Sequence, residues 1–151
     1  MRCATVYQRA NGLIIHPSSQ TTEGVWVAAS PCVCIPDSAP DCEVGSAVRR
    51  ALEASSVGVP HPEEFHAVTE QILRVAGVAT WRAFAASTRC VEIEEIAPGL
   101  LSLIPTQNLH GGFVPRKDTL RADAADDNDK LGRATRTALD AAGAMTGHRR
   151  P

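Results

Sequence analysis

The chain has 151 residues, of which 44% are hydrophobic and 21% charged, a composition typical of a soluble domain large enough to bury a core. No apolar run approaches the roughly 20 residues that a membrane-spanning helix needs. The first residues also lack the apolar core of a signal peptide, so we expect a cytoplasmic protein whose five cysteines are reduced.

Charge narrows the possible partners. The formal charge of −2 becomes −4 when Arg149 and Arg150 near the C-terminus are set aside. This acidic body argues against direct nucleic-acid binding, which depends on a basic surface, and it suits a basic protein partner.

The N-terminal third has the composition of β-strands. Residues 3–8 predict a strand, Asn11-Gly12 a tight turn, and residues 13–15 the returning strand of a hairpin. The polar segment HPSSQTTEG then predicts a loop, and residues 24–27 predict a further strand. Trp26 is expected to anchor the core, because an indole buries a large apolar area.

The next segment runs from a short strand into two helices. The apolar stretch CVCI between Pro31 and Pro36 predicts a strand at a sheet edge. A first helix is predicted from Asp41, with Asp41 as its N-cap and a stripe of apolar residues facing the core. That stripe consists of Val44, Val48, Ala51 and Leu52.

A second helix is expected to follow the GVPHP corner. It should begin at Pro62, carry Glu63 and Glu64 in its first turn, and end at Gly77. Its apolar face is formed by Phe65, Val68, Ile72, Leu73 and Ala76. Thr80 is then predicted to cap a short helix that carries Trp81 and Phe84.

The C-terminal half returns to strands and ends in a helix. Residues 90–95 alternate apolar and acidic side chains, residues 100–104 form an apolar partner strand, and Gly111-Gly112-Phe113 begins another short strand. A last helix is predicted from about Asp127. The whole pattern predicts a single mixed α+β domain over residues 1–146, with a mainly antiparallel sheet, three to four helices and a disordered tail at residues 147–151.

Candidate catalytic and metal-binding residues form no specific pattern. Cys32, Cys34 and Cys42 are spaced poorly for a zinc site, and in a short strand Cys32 and Cys34 would share one face as small hydrophobes do. No nucleophile signature surrounds Cys90 or the candidate bases His16, His61, His66 and His110. The segment His110-Gly111-Gly112 is better explained as a turn than as an oxyanion hole or a phosphate cradle. We therefore predict no catalytic residue, no metal site, no cofactor and no small-molecule ligand.

Two acidic groups have two possible explanations. They consist of Glu92, Glu94 and Glu95, and of Asp123, Asp126, Asp127 and Asp129. Such groups usually mark a solvated face, and they can also form an electrostatic surface for a basic partner. The residues alone leave both explanations open.

Several segments, read in order, resemble one known family. They are TVYQRANGLIIHPSSQTTEGVW, ALEASSVGVPHPEEF, LRVAGVATWRAF and LSLIPTQN followed by GGF. Together they cover Thr5 to Phe113 and resemble the CdiI-type immunity proteins of bacterial contact-dependent growth inhibition systems. The S-x-x-G-V-P-H-P corner and the P-S-S-x-x-T-x-G-V-W segment are the most specific parts.

The resemblance implies a small cytoplasmic inhibitor without enzymatic activity. Such a protein binds the toxin domain, commonly a nuclease that acts on transfer RNA, which a neighbouring cell delivers. The resemblance names no contact residue, and the acidic side chains Glu92, Glu94, Asp126 and Asp127 are our prediction for the toxin-binding set. The alternatives are a Cys/His enzyme and an interaction module that shares the fold.

Overall fold

A computed structural model describes residues 1–10, 12–110 and 112–143. It contains nine strands and four helices in these residues, and it confirms the predicted α+β class. The strands are β1 (Cys3–Arg9), β2 (Gly12–Thr21), β3 (Trp26–Ala28), β4 (Val33–Ile35), β5 (Val57–Val59), β6 (Arg89–Ala97), β7 (Leu100–Leu109), β8 (Gly112–Pro115) and β9 (Leu120–Asp123). The helices are α1 (Asp41–Ala54), α2 (His66–Ala76), α3 (Trp81–Ala85) and α4 (Asn128–Ala141).

Four long antiparallel strands form the centre of the sheet, in the order β2-β1-β6-β7. The hairpin of β1 and β2 pairs Arg9 with Gly12 at one end and Cys3 with Ser18 at the other. This arrangement confirms the predicted hairpin, although Asn11 of its turn lies outside the described residues. Both outer strands of this group are bordered by short strands: β3, β4 and β5 pair with β2, and β8 and β9 pair with β7.

Helices α1 and α4 cover one face of the sheet and form the main core with it. The buried side chains of α1 include Val44, Val48 and Leu52, as the predicted stripe required. They meet Val91 and Ile93 of β6, and Leu131 and Leu139 of α4. Because side chains alternate along a strand, Glu92 and Glu94 point to the opposite face.

The two helices approach so closely that their backbones touch at two reciprocal glycines. A Cβ atom added to Gly45 of α1 would lie 1.9 Å from the carbonyl oxygen of Asn128. A Cβ atom added to Gly132 of α4 would lie 1.8 Å from the carbonyl oxygen of Asp41. Each helix therefore needs a glycine where it meets the first turn of the other.

Two arginines secure the same pair of helices. Arg49 of α1 donates to the carbonyl oxygens of Ala124 and Asp126, just before α4 begins. Arg136 of α4 donates to the carboxylate of Asp41 and to the carbonyl oxygen of Ala39, where α1 begins. Charge-assisted bonds of this kind are the stronger ones in proteins, so the helix starts are fixed from both sides.

Helices α2 and α3 cover part of the second face. They contribute Ile72 and Phe84 to a smaller core, where these side chains pack with Tyr7 and Cys90 of the sheet. Thr80 accepts a hydrogen bond from the amide of Ala83, as predicted for the cap of α3. Gly77 ends α2 in the left-handed conformation with φ at 74°, which glycine adopts without strain.

Three details of the sequence prediction are wrong. The segment HPSSQTTEG is not a loop up to Thr21, because β2 continues to Thr21. It pairs with β1 as far as Ser18 and with β3 from Ser18 to Gln20. Helix α2 begins at His66 rather than Pro62, and Glu63 and Glu64 precede it. The N-cap of α1 is Pro40, while Asp41 is the first helical residue and uses its carboxylate to bind Arg136.

Two short strands were not predicted, and the predicted tail cannot be compared. Strand β5 pairs with the end of β2, and β9 with the start of β7. Both are too short to show an alternating pattern in the sequence. The predicted disordered tail at residues 147–151 lies outside the described residues, as does Gly111 of the predicted turn.

The sequence motifs that carry the resemblance lie at junctions of the fold. Ser55, at the end of α1, accepts a hydrogen bond from the amide of Cys3 and donates one to the carbonyl oxygen of Ser18. Thr21 accepts from the amides of Glu23 and Val25, and its hydroxyl lies 3.0 Å from Nδ1 of His61 in the GVPHP corner. The motifs therefore join α1, the β2–β3 turn and the corner before α2.

Candidate functional site

The part of the second face that α2 and α3 leave open carries side chains from three central strands. Thr5 of β1 pairs with Glu92 of β6 on one side and with His16 of β2 on the other. Its hydroxyl lies 3.2 Å from the hydroxyl of Ser18. These side chains form the floor of a concave surface.

This surface is a groove with three connected lobes, which we call the Glu92 groove. The lobes have volumes of about 280, 300 and 80 Å³, and Thr5 and Glu92 line all three. The largest two are at or below the lower end of the roughly 300–1,000 Å³ typical of small-molecule sites. Each lobe suits a side chain better than a whole cofactor.

Aromatic rings form the walls. At one end Trp81 contacts Tyr7 and Phe113 edge-on, with ring centroids 6.4 and 6.1 Å away, and lies 5.0 Å from Phe84. Trp26 of β3 lines the other end of the groove, and Phe65 lies at its mouth with 49% of its surface exposed. Large exposed and half-exposed rings around a polar floor are typical of recognition surfaces.

Glu92 is the charged group on the floor. Its desolvation raises the pKa of this carboxyl, and the charge of Glu94 raises it further. Among the described residues, no hydrogen bond or ion pair reaches the carboxylate of either glutamate. A partly buried and unpaired carboxylate destabilises the folded chain unless a partner supplies the missing charge.

The buried pair of Tyr7 and His16 next to this floor supplies no such charge. Nδ1 of His16 donates to the carbonyl oxygen of Pro17 at 2.8 Å, and Nε2 lies 3.4 Å from the hydroxyl of Tyr7. Burial lowers the pKa of His16 and raises the pKa of Tyr7, so both groups are neutral at neutral pH. His16 is therefore a core histidine with both ring nitrogens occupied.

The fold separates the four predicted site residues into two pairs. Glu92 and Glu94 lie on the second face. Asp126 and Asp127 lie at the start of α4, on the opposite face, where Asp127 accepts the amide of Lys130 at 2.8 Å and caps the helix. Asp126 accepts the amide of Asp123 and pairs with Nζ of Lys130 at 3.5 Å. The second pair thus has structural partners that the first pair lacks, and contact with a toxin remains a prediction for all four.

Of the five cysteines, Cys34 and Cys42 are exposed, whereas Cys3 and Cys90 are buried and Cys32 is half-buried. Burial raises the pKa of Cys3 to about 12 and of Cys32 to about 11, and it raises the pKa of Cys90 well above its ordinary value. A raised pKa keeps a thiol protonated, whereas a nucleophile needs the thiolate. No group of three potential metal ligands occurs in the described ranges.

Sequence reasoning missed the aromatic walls. Tyr7, Trp26, Trp81 and Phe113 are far apart along the chain, and strand pairing together with the packing of α3 on the sheet brings them to one face. The alternation of Thr5 and Tyr7 in β1, and of Cys90 and Glu92 in β6, is the signal that could have placed the floor on one face.

Comparison with known proteins identifies the fold. No family model and no curated protein matches the sequence. One solved structure that matches is a chain of a CdiA-CT/CdiI toxin and immunity complex from Yersinia pseudotuberculosis, with a TM-score of 0.76 and 13% identity over 93% of this chain and 97% of that chain. Another is a protein of unknown function from Neisseria meningitidis, with a TM-score of 0.72 and 19% identity over 93% of this chain and 94% of that chain.

These matches span nearly the whole of both chains, so the fold is shared from end to end rather than over one motif. At 13% and 19% identity they demonstrate the fold alone. None of the helices in the described part of the chain is both long and apolar enough to cross a membrane.

Proposed function

We propose that this chain is an immunity protein of a contact-dependent growth inhibition system, which binds and neutralises a cognate toxin domain. The observation that carries the proposal is the end-to-end fold match to a chain of a toxin and immunity complex. The order of sequence segments from Thr5 to Phe113 points to the same family independently of the coordinates. Two different kinds of likeness therefore support one function.

The placement of the motifs is consistent with this proposal. The residues that carry the resemblance, such as Ser55 and Ser19, make hydrogen bonds between elements and specify the scaffold. On the open face, Glu92 and Glu94 lie outside those segments, whereas Thr5, Ser18 and the aromatic wall positions lie within them. A family that binds many different toxins needs contact residues that vary on a kept scaffold, and the two glutamates are our candidates for such residues.

The finer parts of the proposal concern the toxin. We expect a nuclease, acting on transfer RNA or another RNA, whose basic substrate cleft is complementary to acidic side chains of the inhibitor. Glu92, Glu94, Asp126 and Asp127 remain the predicted contact residues, and since they lie on two faces, one interface would use one pair. The protein would act in the cytoplasm by binding, without a cofactor and without contacting nucleic acid or membrane itself.

The test is protection. The chain is expressed in cells that also produce the toxin domain encoded immediately upstream, and survival and complex formation are measured. We expect rescue and a stable one-to-one complex, and no rescue from an unrelated toxin domain used as control. Death of the cells despite two folded proteins would refute the immunity function and leave the shared fold.

The dose dependence distinguishes inhibition from catalysis. A binding inhibitor protects only when it is at least equimolar with the toxin, whereas an enzyme would protect at a small fraction of that amount. Substoichiometric protection would favour the alternative of a Cys/His enzyme over an immunity protein.

A further inference from the structure

We propose that the Glu92 groove receives a single basic side chain, an arginine, from the toxin, and that Glu92 is its counter-ion. This inference rests on the proposed function for the identity of the partner. The contact would lie in the Glu92 groove and consist of an ion pair between a guanidinium group and a carboxylate.

The first argument is charge. Glu92 is partly buried, has no partner among the described residues, and lies next to a second unpaired carboxylate, Glu94. The lobes are lined by no lysine or arginine within the described chain. A guanidinium group would neutralise the floor and satisfy carboxylate oxygens that water reaches only partly.

The second argument is shape. An arginine side chain is planar at its end, and it stacks on aromatic rings as readily as it binds carboxylates. The walls offer Trp26 at one end and Trp81 and Phe113 at the other, with Phe65 at the mouth to cover the aliphatic stem. The chain already contains such a contact, since the guanidinium of Arg9 lies 5.0 Å from the ring centroid of Phe84.

The third argument is energetic. Arginine anchors that enter aromatic pockets are among the residues that contribute most to protein interfaces. An unpaired carboxylate that destabilises the free protein becomes an attractive group when such an anchor arrives. The groove is therefore arranged for a partner and not for the free protein.

The groove can be tested without the toxin, because the two tryptophans of the chain, Trp26 and Trp81, both line it. Acetyl-arginine amide is titrated into the protein while tryptophan fluorescence is recorded, with acetyl-citrulline amide as the uncharged probe of nearly the same shape. We expect a saturable change with the arginine probe, no comparable change with the citrulline probe, and loss of the change in Glu92→Gln. Equal responses to both probes, or no response, would overturn the proposal.

The same variant is then tested in the complex with the upstream toxin domain. We expect Glu92→Gln to weaken the complex by a factor of about 10 or more, and Glu43→Gln, on α1 at the opposite face, to leave it unchanged. An intact complex with unchanged affinity in Glu92→Gln would refute the arginine pocket while the immunity function stands. Absence of any complex in the unmodified protein would refute the immunity function, and the fluorescence titration would still decide whether the groove binds a guanidinium.

A third probe distinguishes an arginine site from a lysine site. If acetyl-lysine amide, with its side-chain amine free, gave the stronger saturable change, the pocket would be a lysine site and the arginine assignment would be wrong.

Discussion

At the scale of single residues, Glu92 and the two tryptophans make different contributions although all three are half-buried. Glu92 has no partner for its carboxyl group among the described residues, and its burial disfavours the charged form and so opposes folding. Trp81 packs against three other rings, so its burial favours folding. Trp26 lies between these cases, because it lines the groove without joining the buried clusters.

Replacing Glu92 by glutamine should stabilise the free protein at neutral pH, by on the order of 1 kcal/mol or less. Burial raises the pKa of Glu92 in the folded state above its unfolded value, so the folded chain holds this proton more tightly. The unfavourable contribution of the carboxylate is thus present above the folded pKa, fades as the pH falls towards the ordinary value of 4.5, and is absent below it. Thermal unfolding of both proteins at neutral and acidic pH measures the difference.

The neighbours of Glu92 support this interpretation of the pH dependence. Burial raises the pKa of Glu92 most, and the charge of Glu94 on the same strand raises it further. Tyr7, His16 and Cys90 face the same floor and are neutral at neutral pH. A variant that is less stable than the original at neutral pH would show that Glu92 has a favourable partner in the free protein.

The two tryptophans should differ in their effect on stability. A cost of about 3–5 kcal/mol on truncation to alanine applies to rings that are fully buried, and neither ring is. We expect about 2–3 kcal/mol for Trp81→Ala, which loses three ring contacts, and about 1 kcal/mol for Trp26→Ala. Chemical denaturation of both variants measures these values, and a larger loss for Trp26→Ala would show that Trp26 is the core anchor after all.

At the scale of elements, the packing of α1 on α4 depends on two glycines. Alanine favours a helix over glycine by about 1 kcal/mol, so a glycine-to-alanine change in a helix with free space stabilises the protein. At Gly45 and Gly132 the added Cβ would meet a carbonyl oxygen of the other helix below 2 Å, and backbone cannot move aside as a side chain can. At these two positions a glycine-to-alanine change should therefore destabilise the protein.

We expect Gly45→Ala and Gly132→Ala each to destabilise the protein by about 1–3 kcal/mol or more. Gly112→Ala is the control, since a Cβ there would meet only the carbonyl oxygen of Leu109, at the ordinary distance of 3.5 Å. Urea unfolding of the three variants gives the comparison. Unchanged or raised stability in either helix variant would mean that the helices lie further apart than described here.

Most elements could be predicted from their own residues, and the errors have physical causes. The alternation in β6 and the apolar stripe of α1 are local patterns, which one segment displays by itself. Strand β2 past Ile15 has turn-forming composition, and only its pairing with β1, β3 and β5 keeps it extended. Strand β9 and the groove likewise depend on partners that are distant along the chain, which a local pattern cannot reveal.

At the scale of the whole molecule, the sheet divides the protein into two faces with different tasks. One face carries the larger core, the reciprocal glycines and the arginines that fix α1 and α4. The other carries the smaller aromatic core and the open groove. Substitutions on the face that carries α1 and α4 should therefore affect stability alone, whereas substitutions of exposed groove residues on the other face should affect binding.

Asp127→Ala tests this separation. The side chain of Asp127 caps α4, so its loss should lower the free energy of unfolding by about 0.5–2 kcal/mol. Since one interface would use only one of the two acidic pairs, a toxin bound in the Glu92 groove should keep its affinity for this variant within about twofold. Glu92→Gln should instead weaken binding by a factor of about 10 or more without lowering the free energy of unfolding. Calorimetric binding and thermal unfolding of the two variants measure both properties, and stronger loss of binding in Asp127→Ala would place the toxin on the α4 face.

The short strands at the borders of the sheet have a further consequence for life in the cell. Strands β3, β4, β8 and β9 are three or four residues long, so neither border presents a long straight row of free amides and carbonyls. Such rows are the templates on which identical chains join edge to edge and aggregate. Under the proposed function the protein has to be present before the toxin arrives, and we expect borders built in this way to disfavour edge-to-edge association when the protein is stored at high concentration.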